Sequence, residues 1–373
     1  MNKPSPTIVL SLQDMLLQRV ARASITQLLI VANLLVFLAM LMGGAGFWHS
    51  PNGIQLAWGA NFGPATQDGE WWRLGSALFL HFGIVHLAMN MWALWDGGQF
   101  VERMYGHLRF LTIYFISGLA GNLLSLVVQG GHAVSGGASG AIFGVYGALL
   151  TFLWRERNNL HPGEFRWLFW AAVGFTLFSI TLGFVVPGID NSAHIGGFVT
   201  GLLSSMVLAQ PLNSTQRLSA KNRWLAGSAF VVAIAILIYQ IPKPAYRWSE
   251  EVQARKEIDE FMREDAAIKQ TWQNIVTQSK QNNATLDGLA NLIDSEIARH
   301  YEESFEQLSK LPVNSAMPSF MTIEKLLEYT ETRRDESRAL TRDLRFKSAI
   351  KSITQDMANS PENSDLPGKK SSQ

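Results

Sequence analysis

The chain has 373 residues, 47% of them hydrophobic and 16% charged, with a formal net charge of +1 at pH 7 and no cysteine. Near-neutral charge leaves no electrostatic footprint for nucleic acid, and the missing cysteines exclude a disulfide framework or a thiolate metal site. The averages conceal two unlike parts: residues 1–242 hold 12 Lys and Arg with 8 Asp and Glu, whereas residues 243–373 hold 19 and 22. The first part is therefore membrane-like in composition and the second soluble-like. Residues 1–23 are polar and mildly amphipathic, without the short apolar core and small-residue cleavage site of a signal peptide, so none is expected.

A helix needs about 17–25 mainly apolar residues to cross roughly 30 Å of hydrocarbon. Seven runs meet that length, at 25–42, 74–95, 110–128, 138–154, 167–186, 192–208 and 224–241. Each is expected to be helical, because lipid leaves an open strand or loop with unpaired amides. With residues 1–24 in the cytoplasm, 11 of the 12 basic residues before position 243 fall on the inner side and only Arg73 outside. Seven crossings then put the C-terminus outside. The first loop, 43–73, is rich in Trp and Phe and is expected to lie partly in the outer leaflet. Beyond Pro242 the segments 250–280, 286–311 and 322–354 have helix-forming composition, and the Ser- and Pro-rich tail after Asn359 is expected to be disordered.

Polar groups inside spans are costly and mark sites of function. The fourth run opens Ser135-Gly-Gly-Ala-Ser139-Gly140, with Gly144 four residues on, so one hydroxyl sits among glycines at the mouth of an apolar helix. Gly140 and Gly144 share a helix face where another backbone could come close. The sixth run opens Ser192-Ala-His194, and His194, Gly197 and Gly201 form one stripe of an imidazole followed by two gaps. Packing the two glycine faces together would bring His194 beside Ser139. The second run carries His81, His86 and Asn90, the last two four apart on one face and at a similar depth.

A Ser–His pair suffices for acyl transfer: the imidazole takes the hydroxyl proton during attack and returns it to the leaving amine. The developing oxyanion needs fixed donors, which Asn90, a histidine N–H and the backbone N–H of Ser139 could supply. The nearest acid to His194 is Asp190, in the connecting loop, so a dyad is expected rather than a triad. Three clustered histidines also raise a metal-dependent enzyme, but no H-E-x-x-H and no nearby carboxylate complete such a site, so neither metal nor other cofactor is expected. A transporter would show internal repeats or broken helices with charge near the midplane.

Across roughly residues 25–208 these motifs resemble the rhomboid family of intramembrane serine proteases. The match includes Trp72-Arg73, the His81/His86/Asn90 set, Gly98-Gln-Phe-Val-Glu102-Arg103, Gly137-Ala-Ser139-Gly140 with Gly144, and Ala193-His194 with Gly197 and Gly201. The resemblance implies an all-α polytopic membrane protein with a six-helix core, here 25–210. A linker and seventh span (211–241) and a polar, mostly helical extracytoplasmic region (242–373) would follow. It implies Ser139 as nucleophile, His194 as base, His86 and Asn90 lining the oxyanion hole, His81 as support, and Arg73 and Glu102 as structural residues. It also implies transmembrane protein substrates, a plasma or bacterial inner membrane, and an active site facing outward. Phe143 stands where several relatives have a tyrosine stacked on the catalytic imidazole, and keeps the ring. The rival function, a non-catalytic relative that binds membrane proteins, usually lacks the serine or the histidine, and both are present here. No partner for the C-terminal region can be read from the sequence.

Overall fold

A computed structural model of the chain describes residues 11–212, 219–281 and 284–359. The tail expected to be disordered, beyond Asn359, lies outside the described residues, as do Lys3 and Arg217 of the inner basic set. The chain divides into two compact units, Met1–Ala245 and Tyr246–Gln373. Among the described residues every regular element is helical, and the one β-bridge, Asn61 with Ser135, stands alone.

The first unit runs α1 (Leu12–Arg19), α2 (Ser24–Met42), three short helices α3 (Asn52–Ala57), α4 (Gly63–Gln67) and α5 (Arg73–Ser76), and then the long helices. These are α6 (Ile84–Tyr105), α7 (His107–Gln129), α8 (Ser139–Glu156), α9 (Pro162–Val185), α10 (Asn191–Leu208) and α11 (Ala220–Tyr239). α8 is the central post: from Gly140 to Leu150 every residue is buried. α7 and α10 pack on it and on each other, while α2, α9 and α11 stand outside them. Only 11% of the apolar stretch of α9 and 6% of that of α11 is buried within the protein, which leaves Trp170, Phe178, Leu225 and Val231 for lipid.

Among the described residues four helices, α2, α7, α9 and α11, are long and apolar enough to cross a membrane on composition alone, or five if a bent pair is counted as one span. α8 and α10 fall short because they carry the polar residues: α8 ends in Arg155-Glu156, and α10 begins Asn191-Ser-Ala-His194.

The expected second span, 74–95, needs correction. Its helix is α6, about ten residues further on, and the preceding Arg73–Phe79 segment meets α6 at 91°. Leu80 is extended and Gly83 lies under the backbone of Trp48, so the helix cannot continue through them. At the other end hydropathy stops at Trp95, yet the helix runs on through Glu102. That carboxylate is fully buried because it accepts from the Ile25 and Thr26 amides at 2.9 and 2.7 Å and from the Thr26 hydroxyl at 2.6 Å. A group so fully satisfied can be held inside a membrane helix, where an unpaired one could not. Glu102 thereby caps the start of α2 from a neighbouring helix, and the His107 ring closes on its other side at 2.5 Å.

The second unit comprises α12 (Trp248–Gln281), α13 (Leu286–Ile293), a π-helical turn Asp294–Ala298, α14 (Arg299–Ser309) and α15 (Phe320–Asn359). Ile268, Ile275, Ile293, Ile297 and Tyr301 form its core. The Asp265 carboxylate pins three helices from inside, accepting from Tyr301 and Tyr329 at 2.9 and 3.0 Å and pairing with Lys269.

Candidate active site

Ser139 is the first residue of α8, and the chain reaches it through Gly137 at φ +144°, a conformation that suits glycine. The Gly137 amide donates to Ala77 O at 2.8 Å, which fastens this turn to the segment ahead of α6. At a helix start the first amides have no partner within the helix and the dipole favours negative charge. Ser139 is thus set where an anion would be welcome.

His194 lies in the first turn of α10. Its Nε2 is 2.9 Å from Ser139 Oγ. The Phe143 ring, one turn into α8, stacks on the imidazole with centroids 4.2 Å apart and planes 10° from parallel. Nδ1 is buried with no hydrogen-bond partner among the described residues. Asp190 does not reach it: its Oδ1 accepts from the Ala193 amide at 3.1 Å as the cap of α10, and its Oδ2 accepts from Ser125 and Ser135. Among the described residues no acid is bonded to the ring; the stacked phenyl face and the helix hold it.

The glycine faces explain how two helices come this close. A Cβ on Gly197 would overlap the Gly140 carbonyl oxygen, and one on Gly201 would overlap that of Gly144. α8 and α10 therefore touch backbone to backbone over two turns, which small residues alone permit.

His86 is brought to the same place. The position that a side chain on Gly137 would fill lies 2.9 Å from His86 Nε2 and 3.7 Å from Ser139 Oγ. The space left by that glycine is bounded by both groups. The Phe82 amide points at His86 Nδ1 across 3.5 Å, which favours the tautomer carrying hydrogen on Nε2. Asn90, one turn on in α6, is buried and uses one amide hydrogen on His86 O at 2.9 Å. His81 lies outside the helix, buried edge-on to His86 with ring centroids 5.0 Å apart, and its carbonyl accepts from Gln55 at 3.0 Å. Arg73 stands away from this cluster in the first loop. It pairs with Glu70, donates to Leu56 O and Ala60 O at 2.7 and 3.1 Å, and lies against Trp72. Glu102 belongs to the contact of α6 with α2 described above.

Several residues of this region were not singled out by the sequence. Asn61 exchanges both backbone bonds with Ser135 and donates its side chain to Asn122 O at 3.0 Å, and Asn122 donates to Leu74 O at 2.7 Å. Asp190, set aside in the sequence as a triad acid, also carries a cap signal there, the preference of Asp for the residue before a helix. The asparagines had no such signal, since their partners are distant in sequence. Among the described residues no group of three His, Asp or Glu side chains is arranged to hold a metal ion.

The family described as Rhomboid domain matches residues 68–211. Rhomboid protease GluP of Bacillus subtilis is 34% identical over 244 residues, 64% of this chain and 44% of that protein. YdcA of the same organism is 36% identical over 152 residues, which cover 41% of this chain and 73% of YdcA. Inactive RHOMBOID-like protein 8 of Arabidopsis thaliana is 38% identical over 148 residues, 39% of each chain. The chain thus spans under half the length of the first and third of these relatives.

Proposed function

The chain belongs to the rhomboid family, and on that premise we propose that it is a serine protease whose Ser139–His194 dyad cleaves transmembrane segments near the outer face of the bilayer. The family is one of intramembrane proteases, and the apolar helices make this an integral membrane protein. The observation that carries the finer reading is the 2.9 Å contact of His194 Nε2 with Ser139 Oγ, under a stacked Phe143.

In the reaction Ser139 Oγ attacks the scissile carbonyl carbon while His194 Nε2 takes its proton. The tetrahedral oxyanion forms beside the backbone amide of Ser139 and the N–H of His86, in the space that Gly137 leaves open, with Asn90 nearby to donate its second hydrogen. Collapse breaks the C–N bond, and the imidazolium gives its proton to the leaving amine. A water activated by the same imidazole then hydrolyses the acyl-enzyme. The scissile amide must first leave its helix, so spans that unwind readily are the expected substrates.

The other reading, a non-catalytic relative, has some footing in the similarity to a protein named inactive. The deciding experiment compares membrane fragments released by the wild type with those released by Ser139→Ala. Fragments that need Ser139, survive chelators and vanish with serine-directed reagents support the protease. Identical fragment sets would leave only binding.

Removing one oxyanion donor typically slows turnover by about 10²–10³. His86→Ala and Asn90→Ala are expected to lower kcat by about that much in a reconstituted assay, with KM little changed. Full activity in both variants would remove them from the oxyanion site.

The basic-residue count puts residues 1–24 in the cytoplasm, and seven crossings, one for each apolar run, would then set residues 242–373 outside, on the same side as Ser139. There this region would recruit substrates, gate access or tether the protease to a partner; the alternative is a dispensable helical appendage. A reporter fused after Gln373 should work only if it functions outside the cytoplasm. A cytoplasmic signal would mean that 224–241 does not span, and the recruiting role would fall with it.

A further inference from the structure

Asp190 lies in the connection between α9 and α10, and its carboxylate is shared among three elements. Oδ1 accepts from the Ala193 amide at 3.1 Å, inside the first turn of α10 and one residue ahead of His194. The Asp190 carbonyl also accepts from the His194 amide at 3.2 Å. Oδ2 accepts from Ser135 Oγ at 2.7 Å, four residues ahead of Ser139, and from Ser125 Oγ at 2.5 Å on α7. Ser135 is held a second time, by its paired backbone bonds with Asn61 at 2.9 and 2.8 Å. One carboxylate thus ties the turn that carries His194, the loop that delivers Ser139 and the helix lying behind both.

We propose that Asp190 is a positioning residue that sets the register of Ser139 against His194 by linking their two loops, rather than the third member of a triad. The inference rests on the dyad reading above. Two features separate it from an ordinary helix cap. A cap needs only one oxygen on the Ala193 amide, yet the second oxygen collects two serine hydroxyls from other elements. A triad acid would face His194 Nδ1, yet both oxygens of Asp190 are taken up elsewhere and Nδ1 has no partner among the described residues. The dyad itself is a single 2.9 Å contact between two helix starts, and the glycine seam below them fixes how far apart α8 and α10 stand. The loops above that seam must be fixed by something else, and the Asp190 carboxylate is the group that bonds to both.

The test uses the full chain in lipid vesicles, a single-pass reporter substrate and a fluorophosphonate probe that acylates an activated serine. Asp190→Ala is expected to lower kcat and the probe's rate with Ser139 each by about 10- to 100-fold, with KM within about twofold, because misplacement of about 1 Å has effects of that order. Asp190→Asn keeps an oxygen for the Ala193 amide and a polar group for the two serines, whose hydroxyls can turn to accept. It is expected to recover most of the rate. Ser135→Ala, which removes only the link to the Ser139 loop, should slow the probe without altering the cap of α10. His161→Ala serves as a stability control, since it removes a cap on the Gly163 amide at the far end of α9.

Wild-type kcat in Asp190→Ala would overturn the proposal. So would an Asp190→Asn variant as slow as the alanine, which would mean that charge and not geometry is at work. A loss of rate that merely tracks the melting temperature, as in His161→Ala, would overturn it as well. Failure of the underlying reading looks different: the probe would form no adduct on Ser139 even in the wild type, and the dyad would fall together with this inference.

Discussion

Ser139→Ala and His194→Ala are each expected to reduce cleavage by at least about 10⁴-fold while the protein remains folded in the membrane. The magnitude follows from how the pair divides the work. Without Oγ there is no covalent intermediate, and attack must come from water in a site built from helix ends and apolar rings. Without the imidazole, Ser139 keeps its proton: among the described residues its hydroxyl has one base in contact, His194 at 2.9 Å. The two losses are the same loss, so the double variant is expected to be no slower than either single one. Folding should survive, since Ser139→Ala removes one hydroxyl from the start of α8 and leaves the Gly197 and Gly201 seam intact. Turnover rates of purified variants on a transmembrane reporter, with circular dichroism as the folding check, decide it. Appreciable turnover by Ser139→Ala would end the assignment, and a double variant much slower than both singles would show two independent routes.

Much of this architecture is legible in the sequence where the determining contacts repeat at helical spacing. Gly140 and Gly144 on one helix and Gly197 and Gly201 on another can be paired from their i, i+4 periods, and that pairing brings His194 to Ser139. The helices beyond Pro242 are likewise written in local composition. What cannot be read locally depends on partners far along the chain. Hydropathy stops at Asp96, yet α6 runs on into Glu102, whose carboxylate is satisfied by Ile25 and Thr26, 77 and 76 residues away. The first loop is organised by Arg73 reaching the Leu56 and Ala60 carbonyls and by Asn61 pairing with Ser135. Those are single polar contacts without period. In the second unit, helix composition does not reveal that Tyr301 and Tyr329 converge on Asp265. Asp190 is intermediate: its place before a helix is a visible cap signal, but its hold on Ser125 and Ser135 is not.

The seam between α8 and α10 yields the second large effect. Gly201→Val is expected to lose about 10²-fold or more in kcat/KM and to melt at a lower temperature. Even the Cβ alone would overlap the Gly144 carbonyl oxygen, so α10 must move away from α8 before the branched methyls are considered. Backbone cannot give way as a flexible side-chain tip can, and overpacking of a tight interior typically costs about 1–3 kcal/mol. The displacement would also carry His194, two turns earlier on the same face, away from Ser139. The geometry predicts an asymmetry that a general dislike of larger residues would not. Gly197→Ala should be severe, because its Cβ would overlap the Gly140 carbonyl oxygen. Gly140→Ala should be mild, because a Cβ there would lie 3.3 Å from the Ala193 carbonyl, which a small shift relieves. Gly174→Ala, in the middle of α9 with nothing within 4 Å of its Cβ position, should leave activity unchanged and melt no lower, since alanine is the better helix former. Melting curves and cleavage rates of the four variants in one detergent test the ranking. If Gly197→Ala and Gly140→Ala behaved alike, or if Gly201→Val kept wild-type rate and stability, the two helices would not meet along these glycines.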